Sequence, residues 1–245
     1  MLPVLATFNY QNMKFKTKNS SFLALSMVMS IAFTSLLIGC SDDNNAVPNS
    51  GKASLAVING SAVKSEYYLQ VDGSKFHEKA LQFSNSVTYA QVQSGSRELL
   101  VTKTDNSVVA RKTVQVQAQE SYSVYIAGVG AQTELVLIQD NLTPPAAGQA
   151  GVRFVNMSTA AGAMDVTVAG QSKAIGAGVA FKGSSSYTPV PAGQDLAVEV
   201  KTTGSNTIVA QSKVTLESGK IYTLWAKDDL ELASSKVAVG LITNK

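Results

Sequence analysis

Two stretches decide the fold once they are laid side by side: Ala53-Ser-Leu-Ala-Val-Ile-Asn59-Gly-Ser61 and Ala150-Gly-Val-Arg-Phe-Val-Asn156-Met-Ser158, 97 positions apart. The same offset sets Leu69-Gln-Val-Asp-Gly73 on Val166-Thr-Val-Ala-Gly170. At an offset of 98, Phe83, Tyr89 and Gly95 fall on Phe181, Tyr187 and Gly193. At 100, Val108-Val-Ala110 meets Ile208-Val-Ala210, Val114 meets Val214, Tyr122 meets Tyr222 and Tyr125 meets Trp225. A slow drift of this kind is what loop insertions do to a duplicated unit, so the chain reads as a tandem repeat.

Inside each unit the apolar pattern has period two. Leu196-Ala-Val-Glu-Val-Lys201 alternates, and so does Val114-Gln-Val-Gln-Ala-Gln119, whose glutamines share one side. Turn signals such as Asp72-Gly73, Ser94-Gly95, Asp105-Asn106, Gly204-Ser205 and Ser218-Gly219 break these runs. No stretch after Cys40 carries a sustained apolar stripe of helical period. The pattern predicts an all-β chain of two tandem immunoglobulin-like antiparallel β-sandwiches with about seven short strands each. Their expected bounds are 53–141 and 150–245, joined by a Pro-rich linker at 142–149. Adjacent prolines in Asn141-Leu-Thr-Pro-Pro-Ala-Ala-Gly-Gln149 stiffen that spacer, so the two sandwiches are expected to sit in line.

Composition narrows the function classes. The chain has 245 residues, 45% apolar and 15% charged, enough for two cores. Its +3 charge comes from Lys14, Lys16 and Lys18; the rest balances to zero, which disfavours an electrostatic grip on nucleic acid. One Cys (Cys40) and one His (His77) leave no disulfide framework and no Cys/His zinc site. They also remove nearly every catalytic dyad that uses imidazole or thiolate, so the chain reads as a non-enzyme.

The amino terminus reads as an address. From Met13 the chain runs through three lysines into a largely apolar stretch, Phe22 to Ile38, in the order of a secretory signal peptide. Residues 1–12 are either an upstream start or an extended basic region. Leu37-Ile38-Gly39-Cys40 resembles the bacterial lipoprotein signal, which is cut between the small residue and a Cys carrying diacylglycerol on its sulfur. The expectation is cleavage between Gly39 and Cys40 and lipidation at Cys40, the acyl chains holding the protein at a membrane. By resemblance to proteobacterial sorting, Ser41 after the Cys points to the outer membrane; Ser41-Asp42-Asp43 also resembles an export tag of some Bacteroidetes lipoproteins. The periplasmic and the outer face both stay open. Residues 40–52 form the lipidated Cys and a polar tether, whose twelve residues after Cys40 reach at most about 40 Å when extended.

The second unit carries Val152-Arg-Phe-Val-Asn-Met-Ser158, Met164-Asp-Val-Thr-Val-Ala-Gly170, Phe181, Ser184 to Tyr187, Pro191-Ala-Gly193, Thr203-Gly-Ser205, Ile208-Val-Ala210 and Val214 to Thr223. This order resembles the bacterial domain-of-unknown-function 4397 family, extracytoplasmic β-rich modules often found on lipoproteins and envelope proteins. The resemblance is fuller over 150–225 than over 53–141. It implies fold and location; the family has no agreed activity, so no functional residue is carried over.

Candidate sites are few. Tyr67, Tyr68 and Phe76 lack aromatic counterparts in the second unit and form a candidate ligand platform for sugar rings or a protein partner, although alternation sends Tyr67 and Tyr68 to opposite faces. His77 reads as a solvated loop residue. Asp228, Asp229 and Glu231 supply oxygen donors but lack the spacing of a calcium loop and read as a polar loop before the last strand, so no metal and no cofactor is expected. Ala174-Ile-Gly-Ala-Gly-Val179 lacks the ending of a phosphate loop and reads as a flexible connection. Paired carboxylates such as Asp72, Glu78, Asp165 and Glu199 have no spacing that predicts a shared cleft. The sequence therefore favours a lipid-anchored envelope component with structural, adhesion or assembly roles, and as an alternative a glycan-binding surface lipoprotein.

Overall fold

The computed structural model describes residues 51–171, 173–230 and 236–245. Gly39, Cys40, most of the expected tether and Glu231 lie outside the described residues. The first repeat contains β1 (Lys52–Asn59), β2 (Tyr67–Val71), β3 (Ser74–Lys75), β4 (Ser86–Gln93), β5 (Gly95–Lys103), β6 (Val108–Val116), β7 (Ser121–Ala127) and β8 (Glu134–Asp140). The second contains β9 (Gln149–Asn156), β10 (Met164–Val168), β11 (Gly176–Val179), β12 (Thr188–Pro191), β13 (Gly193–Thr202), β14 (Ile208–Leu216), β15 (Ile221–Asp229) and β16 (Lys236–Thr243).

Each repeat is a sandwich of two four-stranded sheets, ordered β4-β1-β7-β8 and β3-β2-β5-β6 in the first, β12-β9-β15-β16 and β11-β10-β13-β14 in the second. Eight strands per repeat replace the seven expected, and the orders match element for element. Pairing is antiparallel except where β1 runs parallel to β7 and β9 to β15. Even the register is duplicated: Leu55 faces Tyr122 as Val152 faces Tyr222, and Ile58 faces Tyr125 as Val155 faces Trp225.

Alternation builds one core per sandwich. Leu55, Val57, Leu69, Leu99, Val101, Tyr122, Val124 and Ile126 fill the first; Val152, Phe154, Val166, Val198, Val200, Tyr222 and Leu224 fill the second. The repeated Asn is a structural staple. Asn59 Nδ2 donates to the carbonyls of Ser65 and Leu81 while its Oδ1 accepts from Ser61 N; Asn156 does the same with Gly162, Val179 and Ser158. Tyr122 and Tyr222 accept a backbone N–H five residues upstream, from Gln117 and Glu217, both at 3.1 Å. Buried polar groups are tolerated here because each has a partner.

The two sandwiches do not sit in line. A third apolar cluster of Ile58, Tyr125, Ala127, Val155, Met157 and Trp225, flanked by Val136, Ile138, Phe181 and Ile242, joins the outer face of β1, β7 and β8 to that of β9, β15 and β16. The result is a stack of four sheets, with β1, β7, β9 and β15 buried on both faces. Burial of a continuous apolar surface outweighs the stiffness of the Pro-rich connection, which turns the chain back instead of spacing the sandwiches apart. Tyr125 and Trp225, duplicates of one ancestral position, meet in this layer with ring centroids 6.2 Å apart. Glycine makes the room: a Cβ on Gly240 would lie 2.3 Å from the indole nitrogen of Trp225, and one on Gly60 would lie 3.1 Å from its ring.

Two further expectations are corrected. Ala174–Val179 is not a free loop, because Gly176–Val179 forms β11 and Ile175 and Val179 enter the second core. Asp228 and Asp229 end strand β15 and are not part of a polar loop.

Candidate functional site

Matched turns in the two repeats create unequal features at their junction. In the segment before β4, Asn85 N bonds to Gln82 O, Ser84 N to Asn59 O, and Ser84 adopts a left-handed φ of 68°. Before β12, Gly183 N bonds to Ala180 O, Lys182 N to Asn156 O, and Lys182 has φ 67°. A side chain in that conformation costs about 1 kcal/mol, so the turn is held by its surroundings in both copies. It throws Phe83 and Phe181 toward the opposite repeat. Around Phe181 an ion pair bridges the junction: Lys182 Nζ pairs with Glu134 of the first repeat at 2.7 Å and lies over the Phe181 ring.

Around Phe83 the junction is open. A cleft of about 480 Å³ is lined by Lys64, Ser65 and Glu66, by Gln82, Phe83 and Ser84, and by Lys227, Asp228, Asp229, Leu230 and Ala238 of the second repeat. Lys227 reaches across from β15, donates to Ser84 Oγ, and stands 5.7 Å from the Phe83 ring centroid and 5.5 Å from that of Trp225. Burial pushes its ammonium below the ordinary lysine range, while Asp229 pulls it back up. On the other wall Gln82 Nε2 donates to Glu66 Oε1 at 2.9 Å. Asp228 is turned inward: its carboxylate accepts from Ser158 Oγ, Thr159 Oγ1 and Ala160 N at 2.5, 2.6 and 3.1 Å. Its oxygens thus hold the turn after β9.

Beneath the junction lies a closed polar network. Arg153 pairs through Nη2 with Asp140 Oδ1, donates from Nε to Thr223 Oγ1 at 2.9 Å and from Nη1 to Gln139 O at 3.2 Å, and covers the Tyr187 ring. Asp140 Oδ2 accepts from Tyr89 at 2.6 Å and Ser123 at 2.8 Å. Asn244 closes the circuit, accepting from Thr223 and donating to Tyr89. Burial pushes the Asp140 carboxyl up, against the pull of Arg153. Burial, with the Asp140 carboxylate second, also pushes the Tyr89 phenol up, so Tyr89 stays a donor. Arg153, Asp140, Tyr89, Thr223 and Asn244 are thus tied to one another across the two repeats.

The model of the family described as Domain of unknown function (DUF4397) matches residues 53–167 and 163–245. The chain belongs to the DUF4397 family. No curated protein matches it. Among solved structures, this DUF4397 chain is similar to a streptococcal virulence factor that binds alpha-glucan (10% identity, 71% of this chain and 92% of that one, TM-score 0.25). It is also similar to a family CBM26 module from Eubacterium rectale in complex with maltoheptaose (11% identity, 79% and 97%, TM-score 0.26). A third is a Bacteroides fragilis structure titled as a cell adhesion protein (11% identity, 74% and 84%, TM-score 0.21). Likeness at this level transfers nothing to the DUF4397 chain.

The aromatic platform read from the sequence is divided by the fold. Tyr67 is in the first core at 2% exposure, and Phe76 packs against the same core. Tyr68, partly exposed like Phe76, is stacked on His77 at 5.8 Å with Lys75 Nζ 4.4 Å above its ring. His77 is not a solvated loop residue. It is buried, accepts from Leu69 N through Nε2 at 3.0 Å and donates from Nδ1 to Lys79 O at 2.6 Å, taking the place of a missing strand partner. Among the described residues no group of three or more His, Cys, Asp or Glu is placed to hold a metal ion.

Sequence reasoning missed the junction cleft. Phe83 recurs as Phe181, and recurrence in both copies points to packing and not to a site. The available signal was divergence between copies: Lys227 stands where the first repeat has Ala127, and Ser84 where the second has Lys182.

Proposed function

We propose that this DUF4397 chain is a lipid-anchored envelope protein whose folded part is a rigid, non-catalytic double module that presents a binding or adhesion surface away from the bilayer. The single observation that carries the reading of the folded part is the buried Arg153–Asp140 pair inside a continuous apolar layer. Covalently joined domains with a small polar interface move relative to each other by default, whereas a large, apolar one acts as a single body. Leu37-Ile38-Gly39-Cys40 supports the anchor, and the polar residues that follow support a tether.

Expressed in a diderm bacterium, the wild-type protein fractionates with outer membranes, and its processed N-terminus shows the mass of an acylated Cys40. Cys40→Ser releases it to the soluble fraction. Membrane retention of the variant, or an unmodified thiol in the wild type, overturns the anchor. Protease treatment of intact cells then decides which face of the membrane carries the module.

A further inference from the structure

We propose that the cleft between Phe83 and Lys227 is a binding site for a neutral saccharide. Three observations on the molecule converge there. First, its volume of about 480 Å³ lies within the range of small-ligand clefts, ~300–1,000 Å³, and it opens at the junction of two modules, where such sites concentrate. Second, the matched position in the other half of the pseudo-symmetric stack carries different chemistry, an ion pair between Lys182 and Glu134 over the Phe181 ring. Packing alone does not require the two junctions to differ in this way. Third, the lining has the chemistry of a pyranose site.

That chemistry is specific. Phe83 offers a half-buried ring for an apolar sugar face. Around it stand donors (Lys227, Gln82, Ser65, Ser84) and carboxylate acceptors (Glu66, Asp229), a mixture that suits hydroxyls, which both donate and accept. Charges of both signs stand in the lining, Lys64 and Lys227 with Glu66, Asp228 and Asp229. A phosphorylated or strongly acidic ligand would meet three carboxylates, and a cationic one two ammonium groups. The uncharged polyol is the class that every wall accepts. Lys227 is also fixed in advance by Ser84 and two aromatic rings, so little side-chain freedom is lost when a hydroxyl replaces water beside it.

Such a ligand would be held by the same rigid module proposed above, and the arms of the test separate failure of the site from failure of the envelope reading. Full-length protein in a non-glycosidic detergent is titrated with neutral gluco-, manno-, galacto- and N-acetylglucosamine oligosaccharides, with a uronate oligosaccharide as the acidic probe. Trp225, the single tryptophan, sits 5.5 Å from Lys227 and reports occupancy by its fluorescence. The expected result is saturable binding of a neutral oligosaccharide, weakened tenfold or more in Phe83→Leu and Lys227→Met, with Tyr68→Ala unaffected. Unchanged Tm and Trp225 emission in the unliganded variants show that each is folded; Lys227→Arg, which keeps the donor, retains more affinity than Lys227→Met. Binding that survives both cleft variants overturns the site while leaving a glycan-binding module. Binding of the uronate probe alone overturns the ligand class. Absence of binding to every probe by folded wild-type protein overturns the inference and leaves the anchored spacer untouched.

Discussion

Arg153 on β9 and Asp140 on β8 form an ion pair with side-chain exposures of 2% and 0%, and neither has a charged counterpart at the matched place in the other repeat. Ala56 stands for Arg153 and Asn244 for Asp140. Two first repeats packed through this face would bury two carboxylates, and two second repeats two guanidinium groups. The duplicated faces are self-complementary in their apolar residues, so this buried pair favours repeat 1 as the partner of repeat 2 over a second copy of itself.

Breaking the pair from one side is therefore costly. Arg153→Met leaves a buried carboxylate without its cation, and the expected loss is about 3–5 kcal/mol in equilibrium urea unfolding. The double variant Arg153→Met with Asp140→Asn regains a large part of that loss. Equal destabilisation of the single and double variants would show that packing, and not charge, sets the cost.

Gly240 has no room for a side chain, since a Cβ there would lie 2.3 Å from Trp225 Nε1. Gly240→Ala is expected to destabilise by about 1–3 kcal/mol through overpacking. Because Trp225 is the only tryptophan, its emission reads the same layer: blue-shifted in the wild type, shifted to the red in the variant. The exposed Gly170→Ala serves as the comparison, since it costs stability through its φ of 81° without moving the emission.

Asp165 gives the fold an acid limit. Gly178 N at 2.7 Å and Thr203 Oγ1 at 2.9 Å donate to its carboxylate and hold it below the ordinary aspartate range. A carboxylate depressed in the folded state contributes stability above its unfolded value, and that contribution is lost as pH falls through the folded one. Asp165→Asn is thus less stable than wild type at neutral pH, and the gap closes below about pH 4. Thermal unfolding followed from pH 7 to pH 2.5 checks this, and parallel curves would refute it.

For His77 the backbone dictates the tautomer. Leu69 N–H has to donate to Nε2, so the ring proton resides on Nδ1 and points to Lys79 O. Long-range ¹H–¹⁵N spectra at neutral pH should show the Nδ1–H form. His77→Ala leaves the Leu69 amide unpaired in the first core, with an expected cost of about 1–3 kcal/mol.

Much of this architecture was legible beforehand, and the reason is locality. Alternation within Val114–Gln119 or Leu196–Lys201, turn residues between strands, and the repeated Asn-x-Ser at 59–61 and 156–158 act over a few residues and leave marks in adjacent positions. His77 shows the limit even at short range: its sequence neighbours Lys75, Glu78 and Lys79 are polar, while its ring accepts from a backbone amide eight residues back and packs on Tyr68 and Phe76.

The amino-acid order by itself determined the duplication, the strand content and which side chains turn toward each sandwich's own core, because period two is a property of the backbone and needs no knowledge of neighbours. Only the tertiary structure decided that the other sides of β1, β7, β9 and β15 are covered as well. Arg153 and Thr223 occupy alternating positions that read as solvent-facing, and their partners Asp140, Ser123 and Asn244 arrive from other strands. Sheet-on-sheet contact depends on two surfaces being assembled before either can be recognised. The cleft at Phe83 and Lys227 exists for the same reason, as a gap between bodies whose meeting no single stretch encodes.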